Sequence, residues 1–182
     1  CGSTSKSTDT LESIKSKGYI TVATEGTYSP FSYHNDKDQL IGYDVEIARA
    51  VAKKLGVKAK FVETKWDGIV AGLDAKKYDV IFNQVGVTTE RQKKYLFAEP
   101  YTYTYASIIT RKDNNSINSF NDLKWKKSSQ TTNSNWADIV RKNGGEVVGT
   151  EGFNQSIELV LQGRVDATVN DSVAYLDYKN NK

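Results

Sequence analysis

Apolar positions along this chain recur in two rhythms, and the switches between them mark its elements. Leu11 and Ile14 belong to a short lead-in helix. Ile20 and Val22 share one face of Tyr19–Thr24, and that period of two predicts a strand. A turn follows, Glu25-Gly26-Thr27-Tyr28-Ser29-Pro30-Phe31. Ile47, Ala48, Val51, Ala52 and Leu55 then fall three or four apart, which predicts a helix over 44–55 with Asp44 capping its start and Gly56 stopping it. Val57, Ala59 and Phe61 alternate as a second strand. Trp66-Asp67-Gly68 opens a short helix holding Ile69, Val70 and Leu73. Val80, Ile81 and Phe82 predict a third, buried strand over 79–83, and 88–94 reads as a polar helical turn. The series β-α-β-α-β is that of a parallel sheet covered by helices.

Residues 101–110, YTYTYASIIT, interrupt the series with one long run of strand formers, placed where a connector between two lobes would lie. The layout then repeats. A short element starts at 121–123, and 127–131 is a weak polar strand. Trp136, Ile139 and Val140 mark a helix over 135–141 that Gly144-Gly145 ends. Residues 146–148 form a strand and 153–162 a helix with Ile157, Val160 and Leu161 inward. Residues 165–169 are the last strand and 172–178 the last helix. The expected organisation is a tether and lead-in over 1–17, lobe one over 18–104 and lobe two over 105–182.

Composition narrows the chemistry. Among 182 residues, 25 are basic and 22 acidic, and neither half carries a polybasic face for nucleic acid. The aromatic content, 11 Tyr and 6 Phe, argues against disorder. One Cys and one His make neither an internal disulfide nor a four-ligand zinc site. His34 lies in a polar turn and reads as a surface residue. No phosphate-binding glycine loop, nucleophile elbow or metalloprotease motif occurs, so no cofactor is expected. Cys1 precedes a small polar spacer, Gly2-Ser3-Thr4-Ser5-Lys6-Ser7-Thr8, in a chain without Met. That pattern resembles a bacterial lipoprotein after signal-peptide removal, with the lipid on Cys1. A boundary that merely falls at a cysteine is the other reading.

In open α/β sheets ligands bind beyond the carboxyl ends of strands. Glu25, Gly26, Thr27, Tyr28 and Phe31 follow strand one, and Trp66 and Asp67 follow strand two. Asn83, Gln84, Gly86, Thr88 and Arg91 follow strand three. In the second half Thr132, Asn133, Ser134 and Asn135 take that place, then Asn170 and Asp171. Arg91 suits a carboxylate, with the amides near Gly86–Thr88 and the helix start at Ser134–Asn135 as further donors. Asp171 suits an ammonium, and Tyr28 and Trp66 offer aromatic walls. Together they describe a site for a free α-amino acid, without a nucleophile–base pair. Singly, each has a plainer reading: Asp171 as the cap of the last helix, Arg91 as a solvated charge, Tyr28 and Trp66 as packing aromatics.

At these residues the chain resembles the polar amino-acid branch of bacterial solute-binding proteins that serve ABC importers. The matching segments are VATEGTYSPFSY (22–33), LIGYDVEIARAVAKKLG (40–56), WDGIVAGLDAKKYDVIFNQVGVTTERQKKYLFAEPY (66–101) and GRVDATVNDSVAYLDY (163–178). The resemblance implies an α/β, two-lobed periplasmic-binding-protein type 2 fold, and within the family the motifs look most like L-cystine binders. It assigns Arg91, Thr88 and the Gly86 amide to the α-carboxylate and Asp171 to the ammonium. Tyr28 and Trp66 flank the side chain, Glu25 and Gln84 line the pocket, and Ser134 and Asn135 close over it. It further implies a monomeric, extracytoplasmic receptor, held to the cell membrane through Cys1, whose partners are a free amino acid and a membrane permease. Two positions depart from the pattern: Trp125 stands where Gly is usual, and Asn133 where cystine binders have Thr. The family's return of the chain to lobe one is absent, so lobe one is expected to leave a sheet edge or apolar surface uncovered. The competing classes are an enzyme on the same fold such as a dehydratase, with Glu25 its one candidate acid, and the sensory domain of a membrane receptor.

Overall fold

A computed structural model describes residues 10–181; Cys1 and its spacer, with the expected lipid anchor, lie outside the described residues. Strand β1 (Tyr19–Thr24) is the axis of the first sheet. It pairs in parallel with β4 (Lys58–Glu63) on one side and with β5 (Val80–Ile81) on the other. Its alternation does what the sequence rhythm predicts. Ile20 and Val22 pack with Ile14 of helix α1 (Thr10–Lys17) and with Ala48 and Ala52 of α2 (Tyr43–Leu55). Ala23 turns to the opposite face, against Trp66 and Ile69 of α3 (Trp66–Asp74) and Tyr78. A small hairpin, β2 (Tyr33–His34) with β3 (Leu40–Ile41), carries His34, which is exposed beside Glu63.

The chain passes from this sheet through α4 (Thr89–Gln92) and an irregular crossing over 101–105 into β6 (Ala106–Thr110). The second sheet has the order β6-β9-β7-β8. Strand β7 (Lys127–Gln130) runs parallel to β8 (Glu146–Gly149) and β9 (Ala167–Asp171), while β6 is antiparallel to β9. Helix α5 (Asn135–Lys142) packs Val140 on one face with Leu123, Ala167 and Val169. On the other face α6 (Phe153–Leu161) and α7 (Ser172–Asn181) bury Phe153, Ile157 and Ala174 around Ile109. Phe31, from the turn after β1, joins that last cluster and so packs the first sheet's loops against the second lobe.

Four expectations are corrected. The run over 101–110 is a strand only from Ala106. The ladder ends at Ala106↔Asp171, so Tyr101–Tyr105 have no partner strand, and Tyr103 and Tyr105 stand 84% and 81% exposed. The third strand is shorter than 79–83 and only half-buried. The last strand is 167–171 rather than 165–169, because the turn after α6 extends through Val165 and β7 offers its pairing at Ser128↔Ala167. Asp44 is not the cap of α2; Gly42 takes that place, and Asp44 is drawn inward. Trp125 adopts the left-handed conformation (φ 65) that the usual glycine would take, and projects into solvent. Among the described residues β4 and β5 are the two edges of the first sheet, each paired with β1 alone, and Leu96 is exposed.

Gly42 is the position most intolerant of change. Its φ is 131°, and a Cβ there would sit 2.3 Å from the Phe31 carbonyl oxygen. Gly42→Ala should lower stability by about 2–3 kcal/mol. Urea unfolding reads the loss; an unchanged midpoint would contradict this account of the turn.

Candidate functional site

The carboxyl ends of β1, β4 and β5 face those of β7, β8 and β9 across a cavity between the lobes. Lobe one contributes Glu25, Thr27, Tyr28, Trp66, Asn83 and Gln84 to its walls. Lobe two contributes Thr131, Ser134, Asn135 and Trp136 from the β7–α5 turn, Gly152, Phe153 and Ser156 from the start of α6, and Asn170 and Asp171 from the end of β9.

Seven of the ten residues assigned to the ligand meet here, Glu25, Tyr28, Trp66, Gln84, Ser134, Asn135 and Asp171, together with Thr27, Asn83 and Asn170 from the same strand ends. Arg91, Thr88 and Gly86 do not line the cavity itself; they form a cluster beside it. The half-buried Arg91 lies over the Trp66 ring, 5.4 Å from its centroid, and donates from Nη1 to the Gly86 carbonyl at 2.9 Å. Burial pulls its pKa down, with the charge of Asp138 in lobe two acting against that. Thr88 caps α4, its Oγ1 accepting from the Arg91 amide at 3.1 Å. Asn135 reaches this cluster from the other lobe: a Cβ on Gly86 would meet its Nδ2 at 3.4 Å.

Most of these side chains also satisfy backbone groups where strands become helices. Asn83 ties two strand ends together, accepting from the Glu25 amide at 2.9 Å and donating to the Glu25 carboxylate at 2.8 Å. Burial raises the Glu25 pKa and Asp67 adds to it, while Asn83 and the Trp66 backbone amide oppose the shift. Ser134 caps α5, accepting from Ala137 at 3.1 Å and donating to the Thr131 carbonyl at 2.7 Å. Asp171 accepts from the Val173 amide at 2.7 Å, so the plainer reading, a cap, holds for one of its oxygens while the residue still lines the cavity. The buried Trp66 Nε1 finds no acceptor.

The lobes are shut on one another. Tyr28 donates from Oη to Asn170 Oδ1 at 2.6 Å, and its ring meets Phe153 at 6.4 Å. Burial, together with the charge of Asp171, holds the Tyr28 phenol protonated well beyond its usual range, so it serves as a donor. At the rim Lys65 pairs with Glu151 at 3.0 Å. Gly152, Phe153 and Ser156 were not found in the sequence, although the strand-end rule applied after 146–148 would have pointed to them. Asp44 was also missed. It is fully buried, and its Oδ1 accepts from Gln84 Nε2 at 2.7 Å and from Tyr101 Oη at 2.9 Å. Burial raises its pKa from 3.8 to about 6, against the pull of those donors.

Residues 20–149 match the family model described as bacterial extracellular solute-binding proteins, family 3. The L-cystine-binding protein TcyA of Bacillus subtilis is 49% identical over 174 residues, which cover 95% of this chain and 65% of that protein. The chain thus spans about 65% of the length of that relative. The arginine-bound form of a truncated ArgBP from T. maritima superposes with a TM-score of 0.88 at 31% identity, covering 94% of this chain and 82% of that one. The L-cystine solute receptor of Neisseria gonorrhoeae, unliganded and open, gives only 0.57 despite 45% identity, over 96% and 73%. The chain therefore superposes better on the arginine-bound protein than on the open receptor.

The Asp44 shift has a thermodynamic sign. The folded chain holds a proton that the unfolded chain has lost between about pH 4 and pH 6, so this group's stabilisation is complete below about pH 4 and disappears as pH passes 6. Asp44→Asn removes the buried charge and should raise stability at pH 8 by at most about 3 kcal/mol, with the gap closing toward pH 4. Thermal melts of both proteins across that range are the measurement, and a gap independent of pH would be inconsistent with a buried charged carboxylate.

Proposed function

The chain belongs to family 3 of the bacterial extracellular solute-binding proteins, and on that premise we propose that it captures a free amino acid, L-cystine, between its two lobes for uptake through the permease of an ABC importer. The observation that carries this reading is the cavity itself, which both lobes line with donors, acceptors and aromatic walls. In the proposed complex the Arg91 guanidinium and the Gly86 amide bind one α-carboxylate, with Thr88 beside them and Ser134 and Asn135 arriving from lobe two. Asp171 accepts the ammonium. Tyr28 and Trp66, joined by Phe153, enclose the apolar middle of the ligand.

Closure supplies the driving force. Each lobe holds part of the site, so a ligand gains its full set of contacts only in the shut form and shifts the population toward it. A permease that recognises the shut form would then distinguish loaded from empty receptors. The site is made by one chain, so a monomer suffices. Cystine is favoured over other amino acids by the identity to a relative named for binding it. Binding rather than turnover is favoured by Glu25, the one candidate acid, whose carboxylate is engaged by Asn83 and by the Trp66 backbone amide.

Calorimetric titration with L-cystine tests this reading. Arg91→Ala should weaken binding by at least about a hundredfold, since charged hydrogen bonds contribute roughly 1.5–3 kcal/mol each. Arg91→Lys, which keeps the charge and loses the planar fork, should fall between the two. An Arg91→Ala protein with wild-type affinity would remove Arg91 from the site.

A further inference from the structure

Asp44 is a carboxylate fully buried within lobe one. Its side chain makes no ion pair among the described residues, and Oδ2 is buried without a hydrogen-bond partner. An amide there would keep one oxygen for the same two donors and remove the charge, at the cost of a buried Nδ2 without an acceptor. The compensation lies in what Oδ1 holds. Gln84 belongs to the cavity wall, takes a left-handed backbone conformation (φ 50) unusual for a residue with a side chain, and also reaches Thr102 Oγ1 at 3.4 Å. Tyr101 opens the crossing between the lobes. Its ring lies between Phe82 and Tyr43, at 6.1 and 5.8 Å, and its carbonyl accepts from Tyr43 Oη at 3.0 Å. One carboxylate oxygen therefore grips the pocket wall and the inter-lobe crossing together.

We propose that Asp44 is the positioning residue that couples the pocket to the crossing, holding Gln84 and Tyr101 through charge-assisted hydrogen bonds and so fixing the direction in which the chain leaves lobe one when the lobes are shut. The fastening rests on geometry alone; its use in ligand capture rests on the receptor reading above. Two titratable groups act on the carboxylate, Tyr101 from the crossing and Tyr28 from the turn after β1, while Tyr43 on its own helix lies against Tyr101. Burial and the Asp44 charge itself keep Tyr101 protonated, and burial with neighbouring carboxylates keeps Tyr28 so, which leaves both phenols as donors. When the pH falls, the proton goes to the unpartnered Oδ2, and the bonds to Gln84 and Tyr101 lose their charge assistance.

Amide resonances of the ligand-free protein, followed by NMR from pH 4.5 to 8, test the fastening. The Gln84 side-chain amide and the Tyr101 and Thr102 backbone amides should titrate together with a midpoint near pH 6. Asp44→Asn should abolish that titration, and Tyr101→Phe, which removes a donor to the carboxylate, should raise the midpoint read at Gln84. A titration that persists in Asp44→Asn, or that never reaches Tyr101 and Thr102, overturns the proposal. Affinity for L-cystine adds the functional arm. Asp44→Asn should bind about tenfold more weakly at pH 8, and the two proteins should converge at pH 5, as expected where a charged bond is exchanged for a neutral one. Equal affinities at pH 8, or a gap unchanged at pH 5, overturn the coupling. A wild-type protein that binds no L-cystine counts against the ligand reading, and the NMR titration decides the fastening independently.

Discussion

A parallel strand that ends inside a protein leaves peptide groups that its ladder no longer pairs, and burial makes an unpaired group expensive. In this molecule those groups are satisfied by side chains, and the same side chains build the cavity. Asn83 closes the gap between the ends of β1 and β5. Ser134 caps the helix that follows β7, and Asp171 caps the helix that follows β9. The wall is therefore polar because the backbone requires it, and rigid where Asn83, Ser134 and Asp171 are already held by backbone amides. A ligand meets groups whose orientation was fixed by folding, which reduces the ordering cost of binding.

The polar contacts that shut the lobes are individually weak. Lys65 and Glu151 are both largely exposed, and such a pair contributes less than about 1 kcal/mol. The Tyr28–Asn170 hydrogen bond contributes about 1 kcal/mol net. Phe31 is buried in the second lobe's apolar cluster with Tyr28 packed against it, and burying such a side chain contributes roughly 1.5–3 kcal/mol. A shut form held by contacts of this size is poised, and modest differential binding is enough to move it. That balance suits the proposed receptor, which has to release what it captures.

Much of the fold was legible because the hydrophobic rhythm and its punctuation agree. Tyr19–Thr24 matches β1 to the residue, and Gly56 stops α2 with a left-handed cap (φ 73). The errors come where local pattern and long-range pairing part company. Residues 101–105 have the composition of a strand and lie where β9 has already ended, so propensity found no ladder to join. Val165 is apolar and buried, yet its backbone still belongs to the turn after α6. Asp44 looks like a cap from its place at a helix start; only the approach of Gln84 and Tyr101, 40 and 57 residues away in the chain, reveals another use. The site was legible in the strand-end rule, and incomplete where that rule was not carried past β8 to Gly152 and Phe153.

The distribution of charge around the cavity bears on selectivity. Neither Arg91 nor Asp171 makes an ion pair among the described residues, and they lie on opposite lobes. Burial already disfavours the charged form of Arg91. An anion alone would relieve Arg91 and face Asp171; a cation alone would do the reverse. In the proposed complex a zwitterion would relieve both at once and bring no net charge into a partly desolvated space, so the two groups would act as a filter on charge pattern. The aromatic side chains that line the cavity, Tyr28, Trp66 and Phe153, would then act on what lies between the charges. On that proposal, selection by charge pattern at the ends and by polarity in the middle would require both lobes, since Arg91 belongs to one and Asp171 to the other.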